Sequence, residues 1–189
     1  MKGCRALEAD EVALVAANLT TARDRALFIV GMKTGFRVSE LIQIRVADVW
    51  QHGAAVDMLV LRVKHGYQRP VPLHREAKAA VQELMEELIA QGRGHESAAL
   101  FQSRKGYCQP IHKRQAQLIL ADAFKRSGLS GPVGSQTMRK TFARTIYTRL
   151  RQDIVSTAEA LGHRCVQNTA YYVEGVPDYT AMRKAILAD

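Results

Sequence analysis

Apolar residues recur at helical spacing along most of this 189-residue chain, with polar positions between them. The clearest example runs from Arg75 to Gln91, where the apolar residues share one face and Gly92 follows the last turn. Glycine also interrupts the pattern at Gly35. The predicted helices are Glu8 to Leu19, Ala22 to Met32, Ser39 to Val46, Arg75 to Gln91, His112 to Ser127, Ser135 to Leu150, Asp153 to Leu161 and Tyr179 to Leu187.

Two short runs favour β-strands instead, Met58 to Val63 and Pro70 to Leu73. The polar stretch between them, Lys64 to Arg69, predicts a hairpin turn. Leu100-Phe101 predicts a third small strand. We therefore expect an α+β fold, mainly α, in which the whole chain forms one domain with a small antiparallel β-sheet.

The composition is strongly basic, with 27 Lys and Arg against 18 Asp and Glu and a net charge of +9. Such a chain is attracted to polyanions, although charge alone leaves DNA, RNA and an anionic membrane open. No apolar run approaches the roughly 18 to 20 residues that span a bilayer, and no apolar core of a secretory signal follows the N-terminus. Three cysteines without C-x-x-C spacing are typical of reduced thiols in a cytosolic protein rather than of a zinc module.

Three stretches carry residues suited to chemistry on a phosphate. They read Thr-Gly-Phe-Arg-Val-Ser-Glu-Leu from Thr34, Thr-Met-Arg-Lys-Thr-Phe-Ala from Thr137, and Leu-Gly-His from Leu161, with Tyr172 nine residues after the histidine. Arginine can grip a phosphate through a fork of hydrogen bonds, histidine can shuttle protons, and a phenol can act as a nucleophile. This set of side chains could cut nucleic acid through a covalent tyrosine link without a metal.

In this order and spacing, the stretches resemble the catalytic domain of the tyrosine recombinases, the integrase family of phages and bacteria. The resemblance extends from Leu7 to the C-terminus. It implies a mainly helical catalytic domain that breaks and rejoins double-stranded DNA at specific sites through a 3′-phosphotyrosine, needing no metal, ATP or other cofactor. It also implies a bacterial cytoplasmic protein, from a phage or other mobile element, that associates with the nucleoid when bound.

The resemblance gives each candidate catalytic residue a role. Arg37 and Arg139 correspond to the two catalytic arginines, which stabilise charge on the non-bridging phosphate oxygens. Lys64, in the predicted hairpin turn, would protonate the leaving 5′ oxygen, since a lysine with a pKa near 10.4 carries a proton to give. His163 would hydrogen-bond the phosphate, and Tyr172 would be the nucleophile.

Each of these residues also has an ordinary structural alternative. Arg37 could form a salt bridge with Glu40, three residues on, and His163 could satisfy a carbonyl at a helix end. The neighbour Tyr171 competes with Tyr172, but adjacent side chains on a helix diverge by about 100° and cannot both face one phosphate. The family spacing selects Tyr172, and a place in the core suits Tyr171 better.

One position departs from the family pattern His-x-x-Arg-His, because Gln136 and Lys140 stand where the histidines would be. A glutamine can donate a hydrogen bond to phosphate but cannot exchange protons, and general acid–base help is typically worth about 100- to 10,000-fold. We expect a site that either is slower or depends more on Lys64 and His163, and in which Gln136 still binds phosphate. Arg69, Lys140 and Arg144 are expected to contact DNA.

Arg37 lies too early in the chain for the DNA-clamping domain that precedes it in most family members. Either the chain is a catalytic domain alone, or it resembles the compact recombinases exemplified by the fimbrial-switch inverting enzymes. A DNA-binding module of the same fold and a type IB topoisomerase-like activity remain alternatives. The resemblance further implies a monomer in solution and a homo-tetramer on DNA, with Tyr179 to Leu187 docked on the next protomer or folded back on its own.

Overall fold

The computed structural model describes residues 3–63 and 67–173. The chain divides into two compact units, an N-terminal unit (Met1–Phe142) and a C-terminal unit (Ala143–Asp189). None of the helices in the described ranges has the length and apolar character that a bilayer crossing requires. The helices are α1 (Ala9–Ala17), α2 (Ala22–Thr34), α3 (Val38–Leu41), α4 (Val46–Val49), α5 (Arg75–Ala90), α6 (Lys113–Arg126), α7 (Thr137–Arg149), α8 (Ile154–Leu161) and α9 (Val166–Val173).

The mainly helical fold with little β-structure is confirmed, but the helix predicted over Ser39 to Val46 is wrong. That segment forms two one-turn helices, α3 and α4. Arg45 starts the second of them, because its amide donates to the Asp48 carboxylate at 2.8 Å. The intervening backbone also hydrogen-bonds to a distant segment, since the amide of Leu100 donates to the carbonyl of Ile44 at 2.9 Å. These long-range bonds replace the intrahelical ones that a continuous helix would need.

Within the described residues, the β-structure forms two separate two-stranded antiparallel sheets instead of the single predicted sheet. β1 (Trp50–Gln51) pairs with β2 (Ala54–Ala55), and β3 (Met58–Arg62) pairs with β4 (Gln68–Pro72). The third strand predicted at Leu100-Phe101 is wrong, because the backbone there joins its neighbours only through isolated bridges. The helix predicted over Tyr179 to Leu187 and the hairpin turn predicted at Lys64 fall on residues outside the described ranges.

Helix α2 is the centre of the N-terminal unit and packs chiefly against α5. Close packing also brings the start of α7 against it. A Cβ built on Gly31 would lie only 2.7 Å from the Sδ of Met138, so only glycine allows this approach. Met138 is fully buried there, and it precedes Arg139 in α7. The packing of α7 against α2 therefore fixes the position of Arg139 within the N-terminal unit.

The C-terminal unit contains a short helix pair, α8 and α9. Asp153 caps α8 by accepting hydrogen bonds from the amides of Val155 and Ser156 at 2.8 and 3.1 Å. The helix ends at Gly162, whose φ of 66° places it in the left-handed region. This conformation, which glycine adopts readily, turns the chain directly before His163.

Candidate active site

Two buried arginines hold the C-terminal end of α2. The helix ends at Thr34 and is followed by Gly35, with φ 65°. The last carbonyls of a helix have no partner within it and carry partial negative charge. Arg69 Nη2 donates to the carbonyl oxygen of Thr34, and Arg139 Nη1 donates to that of Gly35, each at 2.6 Å. Both side chains are almost completely buried, so these bonds form away from water.

Arg37 follows two residues later, at the start of α3, as its sequence position predicts. Its amide donates to Glu40 Oε2 at 2.7 Å, and its Nη1 donates to Glu40 Oε1 at 2.8 Å. The Arg37 side chain is 36% exposed, whereas that of Glu40 is 9% exposed. The salt bridge foreseen as an alternative is therefore present. Because one carboxylate holds both the backbone and the guanidinium, it also sets the direction of the Arg37 side chain.

Arg69 does not lie where the sequence predicts it. It is an inward-facing residue of β4 rather than part of the turn, and it is 3% exposed. Its guanidinium carbon lies 4.5 Å from the centroid of the Phe36 ring and 5.8 Å from that of Phe142. Because it lies against two aromatic rings of the core, this guanidinium is directed inwards rather than towards a DNA backbone. The period-two alternation of β4 turns Arg69 and Val71 to the core and the residues between them to the solvent.

The charges of these arginines act on one another. Burial, together with the positive charges of Arg139 and Arg37 and against the opposing charge of Glu40, lowers the pKa of Arg69 to about 9. Arg69 still carries its proton at neutral pH. The group formed by the three arginines and Glu40 thus has three positive charges and one negative charge. Such an excess attracts an anion, and a phosphate matches the fork geometry of a guanidinium.

Three further predicted residues lie on or just before α7. Gln136 is half-buried, and its carbonyl accepts the amide of Lys140 at 2.9 Å. The Lys140 ammonium lies beside the backbone of Gly3. Arg144 is half-buried and belongs to the C-terminal unit. Lys64, the predicted general acid, lies outside the described residues.

In the C-terminal unit, His163 and Tyr172 lie against each other. Their ring centroids are 5.1 Å apart, with an edge-on angle of 60°. His163 Nδ1 is 2.8 Å from the Thr169 hydroxyl, and Thr169 is fully buried. This bond fixes the plane of the imidazole, and the imidazole in turn lies beside the phenol. Thr169 was missed in the sequence, where only its place three residues before Tyr172, on the same helical face, could have indicated it.

The two adjacent tyrosines of α9 have different environments. Tyr172 is half-buried, whereas Tyr171 is 68% exposed. The prediction that Tyr171 belongs to the core is therefore wrong. The buried face of α9 is formed by Thr169 and Val173, four residues apart. Tyr172 adjoins that face, while Tyr171 lies about 100° further round the helix.

The structure therefore groups the predicted residues into two sets. Arg69 and Arg139 hold one backbone segment of the N-terminal unit, and Arg37 follows it directly. His163 pairs with Tyr172 in the C-terminal unit. The first set can bind and polarise a phosphate, and the second can supply a nucleophile beside a hydrogen-bonding imidazole. Within residues 3–63 and 67–173, no cluster of His, Cys, Asp and Glu is arranged to hold a metal ion.

Comparison with known sequences gives a consistent result. The family model described as "Phage integrase family" matches residues 5–176. Tyrosine recombinase XerD of Mycobacterium tuberculosis is 32% identical over 156 residues, which cover 80% of this chain and 48% of that protein. Tyrosine recombinase XerC of Herpetosiphon aurantiacus is 30% identical over 165 residues, covering 86% and 51%. The chain spans about half the length of these relatives.

Solved structures share the fold. The crystal structure of XerA recombinase matches with a TM-score of 0.77 at 22% identity, covering 97% of this chain and 62% of that one. XerH site-specific recombinase bound to difH substrate matches with a TM-score of 0.76 at 21% identity, covering 100% and 55%. A lambda integrase dimer bound to a COC' core site matches with a TM-score of 0.72 at 20% identity, covering 94% and 50%.

Proposed function

We propose, from the premise that this chain belongs to the phage integrase family, that it is the catalytic part of a site-specific DNA recombinase. The observation that carries the proposal is the contact of Tyr172 with His163, nine residues upstream. It gives a half-buried phenol an imidazole neighbour whose orientation is fixed by a buried threonine. Such a pair suits a nucleophile that attacks a phosphodiester.

In the proposed reaction, the Tyr172 phenol gives its proton to the neighbouring His163 imidazole, and its oxygen attacks a DNA phosphorus to form a 3′-phosphotyrosine. The bond to the 5′ oxygen breaks, and that oxygen leaves with a proton that we assign to Lys64. Arg37 and Arg139 stabilise the charge that develops on the non-bridging oxygens. The phosphotyrosine bond replaces one phosphodiester by another, so attack by a 5′ hydroxyl can restore the DNA without ATP. Single-turnover cleavage by a Lys64 variant tests that assignment. The variant is compared on two DNA substrates, one with the normal 5′-oxygen leaving group and one with a 5′-sulfur leaving group, which needs no protonation.

Gln136 supports a second candidate, a DNA-binding module of the same fold without recombination. A glutamine there can donate a hydrogen bond to phosphate but cannot exchange protons. Covalent trapping separates the two candidates, because a binding module forms a complex that denaturant dissociates. We favour the enzyme, since the tyrosine and histidine are in contact and the arginine group is assembled.

The proposed partner is double-stranded DNA, bound by a monomer that assembles into a tetramer. Solved relatives support this proposal. Lambda integrase is known as a tetramer bound to a Holliday junction, and XerH is known in pre-cleavage and post-cleavage complexes with its substrate. The net charge of +9 would oppose self-association until DNA neutralises it. Light scattering with and without a target duplex tests the proposal, and a stable tetramer without DNA contradicts it.

The single domain, the cytoplasmic location and the mobile-element origin stay predictions.

The decisive experiment uses a nicked duplex from which the cleaved 5′ fragment diffuses away, so that the covalent intermediate accumulates. Wild-type protein should give a protein–DNA adduct on a denaturing gel, with mass spectrometry locating DNA on Tyr172. Tyr172→Phe should give no adduct, while the matched variant Tyr171→Phe, altered at an exposed position, should keep it. An adduct on Tyr171, or none with any target duplex, would overturn the proposal.

A further inference from the structure

The segment from Thr34 to Arg37 is held by two buried arginines at successive carbonyls. Arg139, which we assign to the phosphate, holds Gly35, and Arg69 holds Thr34. Arg37 begins α3 directly after this segment. The backbone that Arg69 holds is therefore joined covalently to Arg37 and by a hydrogen bond to Arg139, the two arginines that we expect to bind the phosphate. A shift of this backbone would displace both of their guanidinium groups.

The surroundings of Arg69 suit a planar guanidinium better than an ammonium. The Phe36 ring belongs to the same segment, and its centroid lies 4.5 Å from the guanidinium carbon. The Phe142 ring comes from α7, the helix that also carries Arg139. A guanidinium can stack on aromatic rings and donate to a carbonyl at the same time, whereas an ammonium is a compact, strongly hydrated charge. Arg69 thus links β4, the C-terminal end of α2 and the middle of α7.

The contacts of Arg69 separate it from a direct role. Arg139 is as deeply buried, but the guanidinium of Arg69 also lies against the Phe36 and Phe142 rings while it donates to the Thr34 carbonyl. The effect of Arg69 must therefore pass through the residues that it holds. A misplacement of about 1 Å far from the reacting atoms can reduce a rate about 100-fold.

We propose that Arg69 is a positioning residue, whose guanidinium sets the Thr34–Phe36 backbone and thereby aims Arg37 and Arg139 at one phosphate. This inference rests on the proposed function. It replaces the expectation that Arg69 contacts the DNA backbone. It also assigns the arginine of β4 a role in the chemical step rather than in affinity.

The test is the substitution Arg69→Lys, which keeps the charge and removes the planar fork. At saturating nicked duplex, the rate of covalent cleavage should fall about 10- to 100-fold, with the dissociation constant for the duplex close to wild type. In an Arg37→Lys background, the same substitution should cause a smaller further loss than in wild type, because the part of its effect that passes through Arg37 is already absent. Full additivity of the two losses, or a wild-type rate for Arg69→Lys, would overturn the proposal.

Arg93 offers a matched control elsewhere in the N-terminal unit. Its Nη2 donates to the carbonyls of Ser103 and Gly106 at 3.0 and 3.3 Å, and its guanidinium lies 6.0 Å from the Tyr107 ring centroid. Arg93→Lys removes comparable contacts and should leave the cleavage rate unchanged. An equal loss of rate in Arg93→Lys would show that Arg69→Lys acts through general destabilisation, which would also overturn the proposal.

A second readout does not depend on activity. The side-chain Nε–H signals of Arg37 and Arg139 in an NMR spectrum of the free protein should shift in Arg69→Lys, with that of Arg93 unchanged. Absence of any adduct with wild-type protein would reject the proposed function. The arginine spectrum would still decide the inference, because unshifted Arg37 and Arg139 signals contradict it.

Discussion

Replacement of Gly35 by alanine tests whether the arginine-bearing segment depends on close packing. Gly35 has a φ of 65°, which L-residues adopt rarely. A Cβ built on it would lie 2.8 Å from Cγ of the Phe142 ring and closer still to Cδ1. The phenyl ring or the backbone must therefore move. The Phe142 ring lies near Arg69, and the Gly35 carbonyl accepts a hydrogen bond from Arg139. Movement of the ring or the backbone therefore affects both arginines.

The magnitude has two parts. A left-handed conformation costs a residue other than glycine about 1–2 kcal/mol. Forcing an extra carbon into a packed interior typically costs about 1–3 kcal/mol more. Gly35→Ala should therefore lower the free energy of unfolding by about 2–5 kcal/mol, the sum of these two ranges. In a protein of this size each kcal/mol lowers Tm by roughly 2–4 °C.

Gly92→Ala separates these two parts. Gly92 also follows a helix, has a φ of 66°, and has nothing within 4 Å of the position of its Cβ. It should lose only the backbone part, about 1–2 kcal/mol. Urea unfolding gives the free energy of unfolding of both variants. If the m-value is unchanged, the difference between the two free energies can be attributed to stability. We expect Gly35→Ala to be the less stable by about 1–3 kcal/mol, and to lose covalent cleavage that Gly92→Ala retains.

Equal losses of stability in the two variants would refute the reasoning. They would mean that Phe142 yields without cost and that the close approach of α7 to Gly35 does not constrain the segment. A Gly35→Ala protein that is strongly destabilised but cleaves DNA at the wild-type rate would refute the link between the position of Gly35 and cleavage. In that case the position of the Gly35 carbonyl would not govern Arg139.

Two other predictions concern single side chains. Gln136→His restores a proton-exchanging group and should keep or raise the cleavage rate in the nicked-duplex assay, and a large fall would show that the glutamine is part of a tuned site. Arg5 hydrogen-bonds the Glu11 carboxylate and, with the amide of Glu8, lowers the pKa of Glu11 from 4.5 to about 2. The stabilisation from Glu11 is therefore present above about pH 4.5 and is lost as the pH falls towards about 2. Urea unfolding across that window should show a steeper loss of stability for wild type than for Glu11→Gln, and parallel curves would contradict the assignment.

Local sequence was enough to predict much of this protein. Six of the predicted helices appear within three residues of their expected ends, because amphipathic periodicity and helix-ending glycines act over one or two turns. Gly35 and Gly162 end helices and place Arg37 and His163 directly after those ends. Family membership also follows from the order and spacing of short motifs. The roles of Arg37, Lys64, Arg139, His163 and Tyr172 stay predictions.

Tertiary contacts determined the rest. Arg69 lies inside the protein because its partners, Phe36, Phe142 and the Thr34 carbonyl, come from distant parts of the chain. The sequence near Arg69 reads only as a polar turn. Whether a charged side chain is buried depends on whether the fold supplies carbonyls and rings to replace its water. Neither a hydrophobic pattern nor a net charge contains that information. Only the folded structure therefore shows that Arg69 is buried and holds the backbone next to the two arginines expected to bind the phosphate.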